Sequence, residues 1–178
     1  MVRIIVAVLA SALSHAALAD AKAGAKKAQL CTFCHRAGGI GPLLEAQPAK
    51  YLVLATAEYK AGKRSSPAMQ PNVGSLSARD IADISAWFAA QPLPAHGQPV
   101  DAAMAAAGEA KAKALECASC HGAGFAGKDA VPRLAGQQPV YLRYALEEFA
   151  AGRRPHPGGM KADRADFESI AHYFGSLK

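Results

Sequence analysis

Two stretches decide how this chain is read: Cys31-Thr32-Phe33-Cys34-His35 and Cys117-Ala118-Ser119-Cys120-His121. Together they use all four cysteines of the sequence. Each places two thiols three positions apart and a histidine directly after the second. Residues three apart face the same way on a helical turn. Two such thiols can therefore reach the two vinyl groups on one edge of a haem, and the histidine falls beneath its iron. Cys-x-x-Cys-His is the signature of covalent c-type haem attachment. Four cysteines would also allow three disulfide pairings, and two Cys-x-x-Cys pairs with histidines could compose tetrahedral zinc. A histidine immediately behind the second cysteine, in both copies, is not a zinc spacing. A thioredoxin-like redox site would need a βαβ pattern that the flanking sequence lacks.

The similarity between the copies runs well past the cysteines. Pro42, Leu44, Gln47, Tyr51, Leu52, Ala55, Glu58, Ala61, Gly62 and Arg64 recur as Pro132, Leu134, Gln137, Tyr141, Leu142, Ala145, Glu148, Ala151, Gly152 and Arg154. Ten identities within residues 42–64 make the chain a tandem duplication. Each copy opens with an Ala- and Lys-rich stretch, Asp20 to Leu30 and Asp101 to Glu116, with no proline, which predicts a helix. After a Gly/Pro loop, a second helix is expected from about Pro48 to Ala61 and from Pro139 to Ala151. In the latter, Tyr141, Leu142, Ala145, Leu146 and Phe149 form one apolar stripe. Gly62 and Gly152 stand where a helix would end.

The last helix of each copy is predicted to start from a polar cap, Ser77 or Asp163. Ile81, Ile84, Trp87 and Phe88 then fall on one face, matched by Phe167, Ile170, Tyr173 and Phe174. Gln91 to Val100 holds three prolines and Gly97 without helical periodicity and reads as a linker. No strand alternation appears. The expectation is an all-α protein of two tandem helical domains, residues 20–90 and 101–178, joined by 91–100. Domains of that size bury little on their own, and a covalently bound haem would complete each core.

The whole chain has 178 residues, 51% hydrophobic, 19% charged and 7% aromatic, as in folded soluble proteins. Arg3, the apolar run Ile4 to Leu13 and then Ala17-Leu18-Ala19 describe a secretory signal peptide over residues 1–19, cleaved after Ala19. The apolar run is too short to span a bilayer as an anchor. The formal net charge is +6 at pH 7, one unit of which leaves with Arg3. Basic residues cluster at Lys22, Lys26 and Lys27, at Lys63 and Arg64, and at Arg153 and Arg154. Such charge can steer docking onto acidic faces of redox partners or onto anionic lipid. No nucleic-acid module is recognisable, and export removes the opportunity.

Beyond the signal peptide the methionines are Met69, Met104 and Met160. Met69 and Met160 each follow their own copy's motif, in the loop between its second and last helices. Met104 precedes its motif in a helix-forming stretch and reads as packing. Methionine opposite histidine gives a six-coordinate haem of raised potential, suited to passing electrons. The expected axial pairs are therefore His35 with Met69 and His121 with Met160. The second loop is shorter, and His156, earlier in it, competes with Met160 by its distance from Asp163. His96 and His172 read as solvated or packed. Arg133, Tyr51 and Tyr141 are candidate partners of haem propionates.

These residues resemble class I cytochromes c duplicated in tandem, most closely the dihaem cytochrome c4 family. The second copy carries the pattern as Cys117-x-x-Cys120-His121-Gly122, Pro132-Arg133-Leu134-Ala135-Gly136-Gln137, Tyr141-Leu142 and Gly152-Arg153-Arg154 leading to Met160. The first copy departs from it at Arg36 and at Glu45-Ala46-Gln47. The resemblance implies two cytochrome c-type domains, each with one haem c, facing one another across a pseudo-twofold interface. It implies a periplasmic electron carrier, not an enzyme, loosely membrane-associated at most. Such a carrier moves single electrons from respiratory donors, such as a cytochrome bc1-type complex, to an acceptor such as a terminal oxidase. The tandem arrangement also resembles the cytochrome subunit of flavocytochrome c sulfide dehydrogenases, which leaves open a subunit docked on a periplasmic dehydrogenase. A peroxidase or gas sensor would need an open iron position, which ligation by Met160 would close.

Overall fold

The computed structural model describes residues 19–178, so residues 1–18 of the expected signal peptide lie outside the described residues. In the first copy the helices are α1 (Ala21–Lys27), α2 (Cys31–Cys34), α3 (Ala49–Lys60), α4 (Met69–Val73) and α5 (Ala78–Ala89). In the second they are α6 (Ala102–Ala114), α7 (Ala118–His121), α8 (Pro139–Ala150) and α9 (Phe167–Ser176). Among the described residues the only β pairing is an isolated bridge between Lys128 and Val131.

Local chemistry accounts for most of the boundaries. The Asp20 side chain accepts from the Lys22 and Ala23 amides and starts α1. Ser77 and Asp80 form a reciprocal capping box at the head of α5. Gly62 and Gly152 end α3 and α8 with φ of 70° and 68°, a left-handed turn that costs glycine little. The start of the last helix differs from expectation. Asp163 caps no helix with its side chain; a 3-10 turn, Arg164–Asp166, intervenes and α9 begins at Phe167. Met69 likewise heads the short helix α4 instead of lying in open loop, and the shorter second loop has no counterpart to that helix.

In each copy the first and last helices cross at a glycine. A Cβ on Gly24 would lie 2.0 Å from the Asp83 carbonyl oxygen and 2.9 Å from the Trp87 Cβ. On Gly108 it would lie 2.0 Å from the Ser169 carbonyl oxygen and 2.8 Å from the Tyr173 Cβ. Two hydrophobic clusters result. One buries Ala28, Leu52, Ile84 and Phe88, and the other gathers Ala112, Phe125, Ala135, Leu142, Ile170, Ala171 and Phe174.

The copies meet through buried amides. Gln47, Gln137 and Gln138 are 4%, 2% and 1% exposed. The Leu43 amide donates to Gln137 Oε1 at 2.8 Å, and Gln137 Nε2 donates to the Leu43 carbonyl at 2.9 Å. Gln138 reaches back to Gly38 and Gly41. Residues 91–100 hold no helix, yet they are tied down. The Gly38 amide donates to the His96 carbonyl, the His96 ring contacts the Gly175 carbonyl at 2.9 Å, and Gln98 bonds Gln138 and the Val140 amide.

Candidate haem sites

Cys31 and Cys34 bracket the single turn of α2, and Cys117 stands at the N-cap of α7 with Cys120 on its turn. None of the four is in a disulfide. Burial pushes the Cys31 and Cys117 thiols above their ordinary pKa, so both are protonated at neutral pH.

Each motif histidine is held the same way. His35 Nδ1 lies 2.8 Å from the Pro42 carbonyl and His121 Nδ1 lies 2.9 Å from the Pro132 carbonyl. A carbonyl accepts only, so Nδ1 carries the proton and Nε2 keeps a free lone pair. The prolines that recur between the copies thus present the oxygens that fix the imidazole tautomers. Burial is the main cause that lowers both histidine pKa values, which favours the neutral ring a metal requires. Gly41 lies so close to His35 that a Cβ there would fall 2.8 Å from the ring.

Across from His35 stands Met69, with Sδ 3.5 Å from Nε2. The Met69 amide is anchored on Ser66. With the proton on Nδ1, the nitrogen and the thioether are both electron-pair donors with no hydrogen between them. Both are the donor types that would hold a haem iron bound by histidine and methionine.

The second copy differs on this face. Met160 is half-buried, but the ring facing His121 is that of His156, with centroids 6.4 Å apart and planes 25° from parallel. His156 also meets the Phe149 ring edge-on at 4.9 Å, and its Nδ1 lies 3.1 Å from the Gly159 carbonyl. His172 and His96 are both occupied elsewhere. His172 Nδ1 accepts from the Asp101 amide and its Nε2 lies 3.4 Å from Glu168, and His96 bonds the backbone as above. Met104 is half-exposed on α6.

Two guanidiniums, one buried and one half-buried, supply the electrostatics. Arg133 is 5% exposed and donates to the carbonyls of Ala135 and Glu45, and its Nε has no partner. Burial pushes it down to about 10, with the Glu45 carboxylate opposing, so it is still a cation at pH 7. Arg154 donates to the Tyr141 and Tyr51 hydroxyls at 3.2 Å each, one from either copy, and its Nε is also without a partner. Burial pushes the Tyr141 hydroxyl up to about 12, with Tyr51 adding to the effect. Unpartnered buried donors on cations call for an anion, and haem propionates would meet that need. The residues present fit the group. Arg154 stood in the sequence only as a repeated position in a basic cluster; its bridge between the two tyrosines depends on tertiary contact.

Leu30, Phe33 and Ile40, around the first motif, are 84%, 77% and 85% exposed. Large apolar side chains so exposed beside a binding motif fit a site completed by an apolar ligand.

Comparison with known proteins settles the family. A cytochrome c family model matches residues 105–178. Cytochrome c4 of Pseudomonas aeruginosa is 34% identical over an alignment covering 93% of this chain and 92% of that one. The chain belongs to the cytochrome c4 family. The crystal structure of reduced cytochrome c4 from Pseudomonas stutzeri superposes with a TM-score of 0.80 at 27% identity, covering 90% of this chain and all of that one. A thiosulfate dehydrogenase electron acceptor of Stutzerimonas stutzeri is 28% identical over 84% of this chain and 80% of its own length. This cytochrome c4 homologue is thus an all-α protein of tandem cytochrome c domains with two haem c groups. It is an electron carrier working with redox proteins, not an enzyme.

Proposed function

We propose that residues 20–90 and 101–178 are the two haem domains, joined by 91–100, of a periplasmic carrier exported and cut after Ala19. The thioether links form at Cys31 and Cys34 and at Cys117 and Cys120. His35 and Met69 would hold the first iron, and His121 and Met160 the second. When bound, each haem supplies a one-electron couple whose potential a methionine ligand raises. The chain's own residues do the rest. Pro42 and Pro132 orient the imidazoles, the two clusters exclude water, and Arg133 and Arg154 offer positive charge where the copies meet. The observation that carries this reading is the approach of His35 Nε2 to Met69 Sδ at 3.5 Å.

One position has a second reading with an observation behind it. His156, not Met160, presents the ring that faces His121. His156 therefore lies beside the same site, and a neutral imidazole offers an in-plane nitrogen lone pair as a ligand. A spectroscopic redox titration of the exported holoprotein, with the near-infrared methionine–iron band counted per haem, tests both. Two bands favour Met160, one favours His156, and none overturns Met69 as well.

For partners, the reading is a cytochrome bc1-type donor and a terminal oxidase as acceptor, with the basic clusters favouring acidic faces or an anionic membrane surface. The alternative is a subunit or acceptor of a periplasmic dehydrogenase. Its support is the relative described as a thiosulfate dehydrogenase electron acceptor. Co-purification with a flavin- or haem-containing dehydrogenase would favour the alternative; a carrier that elutes alone and reduces an oxidase would favour the first.

A further inference from the structure

Asp83 is a buried carboxylate with no part in holding haem. It lies on α5, 2% exposed, and three donors converge on it. They are the Asp20 backbone N–H at 2.8 Å to Oδ1, Lys27 Nζ at 2.8 Å to Oδ2 and Arg79 Nε at 2.8 Å to Oδ1. Lys27 also reaches Asp80 at 2.7 Å. The Asp20 carboxylate is turned away, onto the first amides of α1. Asp20 is the residue that follows the expected cleavage site, and both Ala19 and Asp20 are exposed.

We propose that Asp83 is the built-in receptor for the amino terminus created when the signal peptide is removed. The inference rests on the cleavage after Ala19 proposed above. Hydrolysis of the Ala19–Asp20 bond by a signal peptidase consumes one water. It leaves a carboxylate on Ala19 and, on Asp20, an amine that is protonated at neutral pH. The nitrogen that donates one neutral hydrogen bond to Asp83 then becomes a cation on a buried anion. Charge-assisted hydrogen bonds are roughly twice as strong as neutral ones. Export thereby tightens α1 onto α5.

The duplication contains its own control. Gly24 and Gly108 mark the same helix crossing in the two copies, so Ser169 stands where Asp83 does. The salt bridge beside the crossing is kept, as Lys27 with Asp80 and Lys111 with Asp166 at 3.1 Å. The buried carboxylate is not kept. In the second copy the chain runs on upstream into the linker, and no amine is produced there. The Ser169 hydroxyl donates to the Asp166 carbonyl at 2.8 Å, and the Met104 amide goes to Asp101 at 2.8 Å. The extra acid appears only where processing would leave a positive charge. The Asp20 N–H is also the largest cause holding the Asp83 carboxyl below the usual range, ahead of Lys27 and Arg79.

The test uses the exported holoprotein. Intact mass comes first: a chain beginning at Asp20 is expected, and another start overturns the inference. The same mass counts the haems, so failure of the haem assignment is read separately. The α-amine is then titrated by NMR. Its pKa is expected above the ordinary value of about 8, returning to it in Asp83→Asn. One alanine inserted between Ala19 and Asp20 moves the amine away and is expected to lower Tm by about 4–8 °C, but not in the Asp83→Asn background. Should Asp83→Asn fail to fold, the insertion and the wild-type titration decide alone. An ordinary amine pKa, or an insertion without effect on Tm, overturns the proposal.

Discussion

Gln47 and Arg133 exchange two hydrogen bonds across the junction of the copies. Gln47 Nε2 donates to the Arg133 carbonyl and the Arg133 amide donates to Gln47 Oε1, both at 2.9 Å. Gln137 and Leu43 repeat the exchange with the copies reversed. Because Gln47 matches Gln137 and Leu43 matches Arg133 in the duplicated sequence, the interface is a pseudo-twofold made of side-chain amides read against backbone. Each glutamine is buried, and truncating one strands an N–H and a C=O in the opposite copy. Each stranded group costs about 1–3 kcal/mol. Gln137→Ala is therefore expected to lower stability by about 2–6 kcal/mol in denaturant unfolding. It should also separate the unfolding transitions of the two copies, because this exchange is one of the two that join them. A single transition at the wild-type midpoint would contradict this.

Ala46 is the weak point of the first copy's interface loop. It adopts φ of 53°, whereas its counterpart Gly136 has φ of 63°. A left-handed backbone costs a residue with a Cβ about 1–2 kcal/mol. Ala46→Gly removes that strain at the price of a looser unfolded chain, for an expected net gain of about 0.5–1 kcal/mol. Thermal unfolding should show it as a rise in the first domain's Tm. No rise would mean that neighbouring contacts already hold Ala46 without strain.

How much of this was legible follows from range in sequence. The motifs, the helix-ending glycines and the Pro42 and Pro132 repeats depend on short stretches and read directly. The repeated glutamines were visible only as identities, because their partners lie in the other copy. The start of α9 was missed because Asp163 has the composition of a cap, while the short loop before it forces a 3-10 turn first. The prolines of residues 91–100 mark only a linker, and nothing local reveals that His96 and Gln98 bind across the fold. The distal side of the second site is unsettled in sequence for a related reason. His156 and Met160 share one short loop, and three-dimensional placement decides between them.

Arg133 has no cationic counterpart in the first copy, where Leu43 occupies the position. A buried positive charge favours the more electron-rich, reduced state of a nearby redox centre. Arg133→Leu is expected to lower the second haem's potential by tens of millivolts, on the order of a weakly screened Coulomb interaction. The first haem should move less. The two-step redox titration reads both values, and an unchanged second step would remove Arg133 from any role toward the propionates.

Acid should unlatch the first copy before the second. Asp83 and Asp80 are both held below their ordinary pKa. The chief causes are the Asp20 amide for Asp83 and Lys27 for Asp80, with Ser77 contributing at Asp80. A carboxylate with a depressed folded pKa contributes stability that is present above its unfolded value, about 3.9, and is lost as pH falls through the folded value. The groups facing Asp83 are Lys27, Arg79 and the Asp20 nitrogen, all positive in the proposed mature chain; Asp80 shares Lys27, and its protonation adds to the loss in acid. Asp83→Asn should flatten the fall of the first domain's Tm below about pH 4. The second domain, with Ser169 at that place, should show the smaller acid dependence in both proteins.

The second distal ligand is open to a paired substitution. If Met160 binds the second iron, Met160→Ala removes about half of the near-infrared methionine–iron absorbance and lowers the second potential, since methionine ligation raises it. His156→Ala then changes neither by much. If His156 binds, the outcomes exchange: the native protein already shows half the band, Met160→Ala leaves it alone, and His156→Ala opens the second iron. An opened iron should bind carbon monoxide in the reduced state at neutral pH, which a six-coordinate haem resists. The proximity of His156 to His121 makes the second outcome a physical alternative to the sulfur ligand that the duplicated sequence implies. Each result excludes the other, because one coordination position cannot hold both side chains.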